Sequence, residues 1–189
     1  DGFVQSILES LKIPYTHSGV LSSSLAMDKE LSRLIFIKNN LKVPKYFLLQ
    51  KGHEGNLSKK IKFPIVIKPI NEGSSLGVSI CKNKKQFISK YKKLMRNYDR
   101  ILVEEYIPGR EIQVAVMGKK ALGAIELVPK RQFYDYTAKY SNAARTQHIM
   151  PAPLPQKKYK EVLGLAKKAH KLLGCRGITR SDFRFFKNK

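Results

Sequence analysis

The fold of this chain is decided by residues 63–80, which read FPIVIKPINEGSSLGVSI. The apolar run Ile65 to Ile67 is typical of a buried strand, and it ends at Lys68. The polar segment Asn71 to Ser75 indicates a turn, after which Leu76 to Cys81 resumes an extended pattern. The stretch therefore predicts a β-hairpin whose tip offers backbone N–H groups and two serine hydroxyls.

A glycine-serine tip of this kind can lie over phosphate groups. Gly73 lets the backbone approach a ligand closely, the amides donate hydrogen bonds, and Lys68 adds a point charge. The stretch is neither of the commoner phosphate loops, because the lysine precedes the glycines on a strand and only Gly73 and Gly77 are present. Taken by itself, the segment is equally compatible with an ordinary hairpin bearing a solvated lysine.

The composition favours one or two soluble globular domains, since 42% of the 189 residues are hydrophobic and 27% are charged. No apolar run approaches the roughly 20 residues of a membrane span, and no signal peptide is visible. Cys81 and Cys175 are far apart, which favours reduced thiols in the cytoplasm, and the histidines show no zinc-ligand spacing. The sequence begins with Asp1 and ends as a strand entering a turn, so we expect a piece of a longer product.

The net charge of +23 raises the question of a nucleic-acid partner. The excess is mostly lysine spread over helix-like segments such as 82–93 and 157–171, whereas base recognition relies on arginine and aromatic side chains. We interpret the charge as a lysine-rich solvated surface that also attracts an acidic small ligand such as a nucleotide. Neither nucleic acid nor a membrane is predicted as a partner.

The rest of the chain alternates between helical and extended patterns. Apolar spacing predicts helices over residues 4–11, 25–39, 84–98 and 159–173. Strands are predicted over residues 46–49, 101–107, 110–117, 120–128 and 178–186. Residues 52–60 and 131–155 are polar and are predicted to be loops, the longer of which is expected to be functional. This order predicts an α+β fold without internal repeats.

Four segments carry a family signature. They are residues 18–29, residues 68–78 with Glu-Gly-Ser-Ser, residues 103–111 (VEEYIPGRE) and residues 133–140 (FYDYTAKY). Together they resemble the ATP-grasp enzymes, and among those the D-alanine–D-alanine ligases, in order and spacing across nearly the whole chain. The resemblance implies an ATP-grasp fold, in which two α+β subdomains sandwich a nucleotide. Residues 1–17 would end an N-terminal substrate lobe, 18–108 would form the central subdomain, and 109–189 would form a truncated C-terminal subdomain.

The resemblance also implies an activity, the ATP-dependent joining of two D-alanines to D-alanyl-D-alanine for peptidoglycan synthesis. The first carboxylate would take the γ-phosphoryl group to give an acyl phosphate, which the second amine attacks. The protein would mainly position the reactants and neutralise charge. The implied cofactors are ATP and Mg²⁺ (or Mn²⁺), and the full-length protein is expected to be a cytoplasmic homodimer.

The family's functional residues can be assigned to matching positions of this sequence. ATP would be bound by Lys29, Lys68, Ser75, Glu104, Glu105, Ile107, Glu111 and Lys139. The substrate and reacting atoms would be contacted by Ser74, Tyr140 and Arg180, and magnesium by Asp182. Ser75 belongs to the lid over the nucleotide, Glu104 and Ile107 border the adenine, and Glu111 holds the ribose. Ser74 and Tyr140 lie near the first D-alanine, and Arg180 stabilises the oxyanion.

The residues themselves also allow simpler interpretations. Glu104 and Glu105 are strand neighbours that point to opposite faces, so they cannot form an acid/base pair and could be solvated carboxylates. Arg180 and Asp182 are two residues apart on one face and could form a plain ion pair. The segment from 131 to 155 could be a surface loop with chance aromatic residues.

Two parts of the family pattern have no counterpart here, namely most of the N-terminal lobe and a Glu-x-Asn-x-x-Pro-Gly run that supplies further magnesium ligands. With Asp182 alone the magnesium site is incomplete, so the chain as it stands is expected not to turn over. Three alternatives stay open. They are an ATP-grasp ligase for another amino or hydroxy acid, a non-catalytic nucleotide-binding module, and a basic nucleic-acid binder with steeply salt-dependent binding.

Overall fold

The computed structural model describes residues 1–52, 61–129 and 146–187. In these ranges the chain forms two antiparallel four-stranded sheets with helices, which confirms the predicted α+β class. The residues divide into two compact units by their packing. The central unit is Val43–Ile107, and the discontinuous unit joins Asp1–Lys42 to Pro108–Lys189. The boundaries proposed after residues 17 and 108 stay a prediction about subdomains.

The elements have the following bounds. The helices are α1 (Phe3–Ser10), α2 (Val20–Met27), α3 (Lys29–Lys38), α4 (Lys84–Leu94) and α5 (Gln156–Leu172). The strands are β1 (Tyr46–Gln50), β2 (Ile65–Pro69), β3 (Ser79–Cys81), β4 (Arg100–Glu105), β5 (Arg110–Met117), β6 (Lys120–Val128), β7 (Gln147–Ile149) and β8 (Ile178–Phe185). Within the described ranges, no helix has the length and apolar character needed to cross a membrane.

The central unit consists of a sheet with the order β1-β4-β2-β3 and of α4, which packs on one face. Phe87 of α4 is fully buried at this interface. The strand residues that meet it alternate along the chain and are Ile65, Ile67, Ile101 and Val103. Because side chains of a strand alternate between its faces, Lys68 and Glu104 lie on the face away from α4.

The discontinuous unit contains the sheet β7-β6-β5-β8, whose core lies between the sheet and α5. The buried side chains that form this core include Ile112, Val114, Val116, Val162 and Ala166. The intervening residues of β5 and β8 face the other way. Register pairs Glu111 with Arg184 and Gln113 with Asp182, so these residues share the face away from α5.

An arginine-carboxylate pair ties the strands of this sheet together. Arg110 Nε and Nη2 donate to the two Glu126 carboxylate oxygens at 2.6 Å each, and Nη2 also donates to the Pro153 carbonyl at 3.0 Å. The bond to Glu126 raises the pKa of Arg110. Two parallel N–H···O bonds fix distance and orientation together, so this pair holds β5, β6 and the segment after β7 in one arrangement.

The N-terminal helices are attached to the segment between α5 and β8. Ser18 Oγ donates to the Arg176 carbonyl at 2.9 Å, and Ser22 Oγ donates to the Gly174 carbonyl at 2.7 Å. Gly177 has φ +62°, and a Cβ built there would lie 1.7 Å from the Thr16 carbonyl oxygen. Glycine is therefore required where the two segments cross.

The predicted helix over residues 25–39 is wrong in its extent, because the structure has two helices that meet at Asp28. The Asp28 carboxylate accepts the backbone N–H groups of Glu30 at 2.8 Å and of Leu31 at 2.9 Å. Asp28 itself has extended backbone, so it ends α2 and caps the N-terminus of α3. The apolar periodicity continues across this break and conceals it.

Two further elements differ from their predictions. The returning strand of the hairpin begins at Ser79 and not at Leu76, because Ser74, Ser75 and Gly77 have positive φ angles of 50°, 62° and 71°. Such angles are incompatible with a strand. Strand β7 lies within residues 131–155, a range predicted to be loop throughout, and its three residues are too few for a periodic signal.

The cap at Asp28 leads to a prediction. Asp28→Ala is expected to lower the free energy of unfolding by about 1 kcal/mol, because the first turn of α3 loses its hydrogen-bond acceptor. Asp28→Asn keeps an oxygen acceptor and is expected to cost much less. Denaturant unfolding of both variants measures the difference. Equal stability of the alanine variant and the wild type would show that the cap contributes nothing.

Candidate active site

The predicted hairpin is formed by β2 and β3, and its tip comprises residues 70–78. Within the tip, Leu76 N–H donates to the Gly73 carbonyl at 2.9 Å, which closes a tight turn. Ser74 and Ser75 inside this turn have φ angles of 50° and 62°, a region that serine seldom occupies. Such backbone persists where the surrounding structure holds it, and it is concentrated at ligand sites.

The tip is held at both ends by the central unit. The Tyr98 hydroxyl donates to Glu72 Oε1 at 2.9 Å. This hydrogen bond, together with partial burial, raises the pKa of Tyr98, so the hydroxyl remains a donor. At the other end, a Cβ on Gly77 would lie 2.8 Å from Pro69 Cγ and 3.2 Å from Leu94 Cδ2. The backbone of Gly77 therefore lies directly against both side chains.

Lys68 and Glu104 form an ion pair on the sheet face away from α4. The distance from Lys68 Nζ to Glu104 Oε1 is 2.5 Å, and the side chains are only 17% and 9% exposed. Val66 pairs with Glu104 across β2 and β4, which makes Lys68 a diagonal neighbour of the glutamate. At this depth the attraction is screened less than at the surface. The lysine predicted to bind phosphate is therefore held in place by the protein's own carboxylate.

Glu104 and Glu105 have different partners, as expected for strand neighbours. Glu105 Oε1 accepts the Lys45 backbone N–H at 2.9 Å, and the Glu105 N–H donates to the Lys45 carbonyl at 2.9 Å. These two bonds fix the end of β4. Ile107 follows this end, is half-buried, and is the last residue of the central unit.

The face of the second sheet that lies away from α5 carries two arginine-carboxylate pairs. Arg180 Nε donates to Asp182 Oδ1 at 2.8 Å and Arg180 Nη2 to Asp182 Oδ2 at 3.2 Å, both on β8. Arg184 Nη2 lies 3.5 Å from Glu111 Oε2 on the neighbouring strand β5. Sequence reasoning did not single out Arg184, although continuing the two-residue period from Arg180 and Asp182 leads to it.

Lys29 is the first residue of α3, immediately after the cap Asp28. A cation at this position faces the positive end of the helix dipole, which disfavours it by a few tenths of a kcal/mol up to about 1 kcal/mol. A bound anion would reverse that effect. The position therefore suits a phosphate-binding role better than a stabilising one.

Two of the predicted site residues, Lys139 and Tyr140, lie outside the described residues. Within the described ranges, no three His, Cys, Asp or Glu side chains come together in a way that could hold a metal ion. The predicted magnesium ligand Asp182 is engaged by Arg180. The described site residues thus form one group in the central unit and another in the discontinuous unit.

Residues 36–189 match the family model described as D-ala D-ala ligase C-terminus. The chain belongs to this family. The D-alanine–D-alanine ligase of Pelagibacter ubique is 54% identical over 196 residues, which cover 100% of this chain and 63% of that protein. The chain therefore spans less than two thirds of the length of this ligase.

Solved structures of the ligase family agree with the sequence matches. The D-alanine–D-alanine ligase of Bacillus anthracis superposes with a TM-score of 0.86 at 34% identity, over 100% of this chain and 62% of that one. The same ligase in complex with ATP gives a TM-score of 0.83 at 29% identity, over 100% and 60%. The ATP-grasp fold and the ligase family predicted from the four sequence segments are confirmed.

Proposed function

We propose that this chain supplies the nucleotide-binding and phosphoryl-transfer part of an ATP-dependent D-alanine–D-alanine ligase. In the reaction, the carboxylate of one D-alanine takes the γ-phosphoryl group of ATP, which leaves ADP and an acyl phosphate. The amine of the second D-alanine then attacks the acyl carbon, phosphate departs, and a peptide bond forms. The proposal rests on one observation. In a chain of this family, the central unit contains both the strained Ser74-Ser75 tip and the buried Lys68–Glu104 ion pair.

The central unit would bind the nucleotide. Amide groups and the Ser75 hydroxyl at the hairpin tip would donate to phosphate oxygens, and Lys68 would add its charge. Because Glu104 already holds Lys68, the ammonium group is oriented before ATP arrives. This arrangement lowers the reorganisation that binding requires. Lys29 and Lys139 would supply further positive charge to the phosphates.

The end of β4 would border the adenine. Ile107 offers an apolar contact, and the bonds between Glu105 and Lys45 keep the backbone at this point in a fixed position. Glu104 would lie at the same edge. Glu111 would accept hydrogen bonds from the ribose hydroxyls, while its contact with Arg184 keeps the carboxylate oriented.

The D-alanine part of the site would use Ser74, Tyr140 and Arg180. Ser74 and Tyr140 would hydrogen-bond near the first D-alanine, and the Arg180 guanidinium would stabilise the negative charge that develops on the attacked carbonyl oxygen. Asp182 would be a ligand of Mg²⁺ or Mn²⁺, which neutralises phosphate charge when bound. One carboxylate does not make a magnesium site by itself.

The proposed function predicts that the complete gene product releases phosphate from ATP only when D-alanine is present. L-alanine and D-lactate serve as control substrates, and an assay without any amino acid gives the background. Preference for D-lactate or an L-amino acid would indicate a different ATP-grasp ligase. Binding of ATP without turnover of any substrate would indicate a nucleotide-binding module. Steeply salt-dependent nucleic-acid binding that ATP does not compete with would overturn the proposal altogether.

The cytoplasmic location and the homodimer inferred from the family resemblance remain part of the proposal. Sedimentation velocity of the complete gene product tests the dimer. A single species at the monomer mass across the micromolar range would contradict it.

A further inference from the structure

We infer that Tyr98 is a positioning residue for the phosphate-binding tip. Its hydroxyl holds the Glu72 carboxylate on the α4 side of the tip, so that the tip is arranged for ATP before the nucleotide binds. This inference rests on the proposed function. Neither Tyr98 nor Glu72 is among the residues proposed to contact ATP, D-alanine or metal.

A carboxylate is an unfavourable neighbour for a phosphate site. Glu72 lies only two residues from Ser74, so their Cα atoms are at most about 7 Å apart and the carboxylate is a close neighbour of groups bound at the tip. At that range two negative charges repel each other appreciably in a partly buried setting. The bond from the Tyr98 hydroxyl to Glu72 Oε1, at 2.9 Å, restrains the carboxylate and offsets part of its charge.

Residues 94–98, the segment that ends with Tyr98, are themselves held in place. The Tyr98 N–H donates to the Leu94 carbonyl at 3.0 Å, which closes the turn after α4. The Tyr98 ring packs against the buried core of the central unit. A tyrosine held by its backbone and its ring leaves its hydroxyl few alternative positions.

The tip also contacts residues 94–98 at a second point, Gly77. Gly77 lies against Leu94 Cδ2 and the Pro69 ring, and its φ of +71° excludes most other residues there. The tip is thus attached at Glu72 and at Gly77 to one short segment, residues 94–98, while Ser74 between the anchors remains exposed. Releasing the Glu72 anchor should loosen the tip without disturbing the second anchor.

The test compares Tyr98→Phe with the matched variant Tyr91→Phe in the complete gene product. Both changes remove one hydroxyl from a tyrosine of the same region. The Tyr91 hydroxyl donates to the Gln50 carbonyl of β1, at 3.4 Å. Tyr98→Phe is expected to weaken ATP binding about three- to tenfold, in the range of one lost hydrogen bond. It should also speed hydrogen exchange of the amides at residues 73–78, while exchange elsewhere stays unchanged and the unfolding midpoint falls no further than in Tyr91→Phe.

A second substitution distinguishes a positioning role of Tyr98 from a purely structural one, because only a positioning role predicts that ATP affinity recovers. Adding Glu72→Gln to Tyr98→Phe removes the negative charge and is expected to restore much of the ATP affinity. The inference is overturned if Tyr98→Phe leaves ATP affinity and tip exchange unchanged, if it speeds exchange throughout the unit, or if Glu72→Gln gives no recovery. Failure of the wild type to bind ATP would refute the proposed function, and the exchange comparison would still decide whether Tyr98 holds the tip.

Discussion

Lys68→Met is expected to abolish measurable ATP binding and to lower the free energy of unfolding by about 3–5 kcal/mol. The stability loss follows from the burial of the pair, because the Glu104 side chain is 9% exposed and would lose its lysine while staying in place. The binding loss follows from removing the charge proposed to contact the phosphates. Denaturant unfolding and calorimetric ATP titration measure the two effects separately.

A double variant separates the two roles of Lys68. Lys68→Met with Glu104→Leu replaces the buried ion pair by apolar side chains, an exchange that is often neutral for stability. The double variant is therefore expected to regain most of the lost stability and still not to bind ATP. Lys92→Met, at an exposed position on α4, is the control for loss of one positive charge. Retention of ATP affinity in Lys68→Met would remove this lysine from the phosphate site.

Arg180→Ala is expected to lower the kcat of the proposed ligase reaction of the complete gene product by about 10²- to 10³-fold, the usual cost of losing one oxyanion donor. The KM for ATP should change little, because Arg180 is proposed to stabilise the oxyanion of the attacked carbonyl group and not to contact the nucleotide. The fold should tolerate the change, since the Arg180 side chain is 57% exposed and its partner Asp182 is 44% exposed. Steady-state kinetics with D-alanine and ATP varied in turn provide the measurement.

The Arg180 prediction has a charge-matched control in Arg96→Ala, an exposed arginine just after α4. That variant is expected to keep the wild-type kcat. Arg180→Lys keeps the charge and loses the planar fork, so an intermediate rate would indicate that geometry matters in addition to charge. A kcat of Arg180→Ala within about threefold of the wild type would exclude transition-state stabilisation by this residue.

Elements that are specified by local chemistry could be predicted from the sequence. Strands β5 and β6 were predicted with the bounds that the structure shows, because alternating apolar residues surround the Gly118-Lys119 turn. The split at Asp28 was missed because capping by a side chain competes with a periodicity that continues across it. The start of β3 was misplaced because positive φ at Ser74 and Ser75 has no local sequence signal as clear as glycine.

The candidate site could be predicted only in part, for a related reason. The shared face of Arg180 and Asp182 follows from their spacing, and the ligase resemblance supplied the residue list. The pairs Lys68–Glu104, Arg184–Glu111 and Tyr98–Glu72 depend on register or on turns that bring together residues distant in the chain. No motif encodes such a register, so the contacts that position the site required the structure.

The division of the chain has a consequence for the order in which it folds during synthesis. The central unit is one uninterrupted segment, Val43–Ile107, so all its partners have left the ribosome together. The helices α1 to α3 emerge earlier, yet their anchors at Gly174 and Arg176 come some 150 residues later, as the Ser18 and Ser22 bonds show. We expect the central unit to become protease-resistant first on stalled nascent chains, and the segment made before it to become resistant only after the residues that follow α5 have been synthesised.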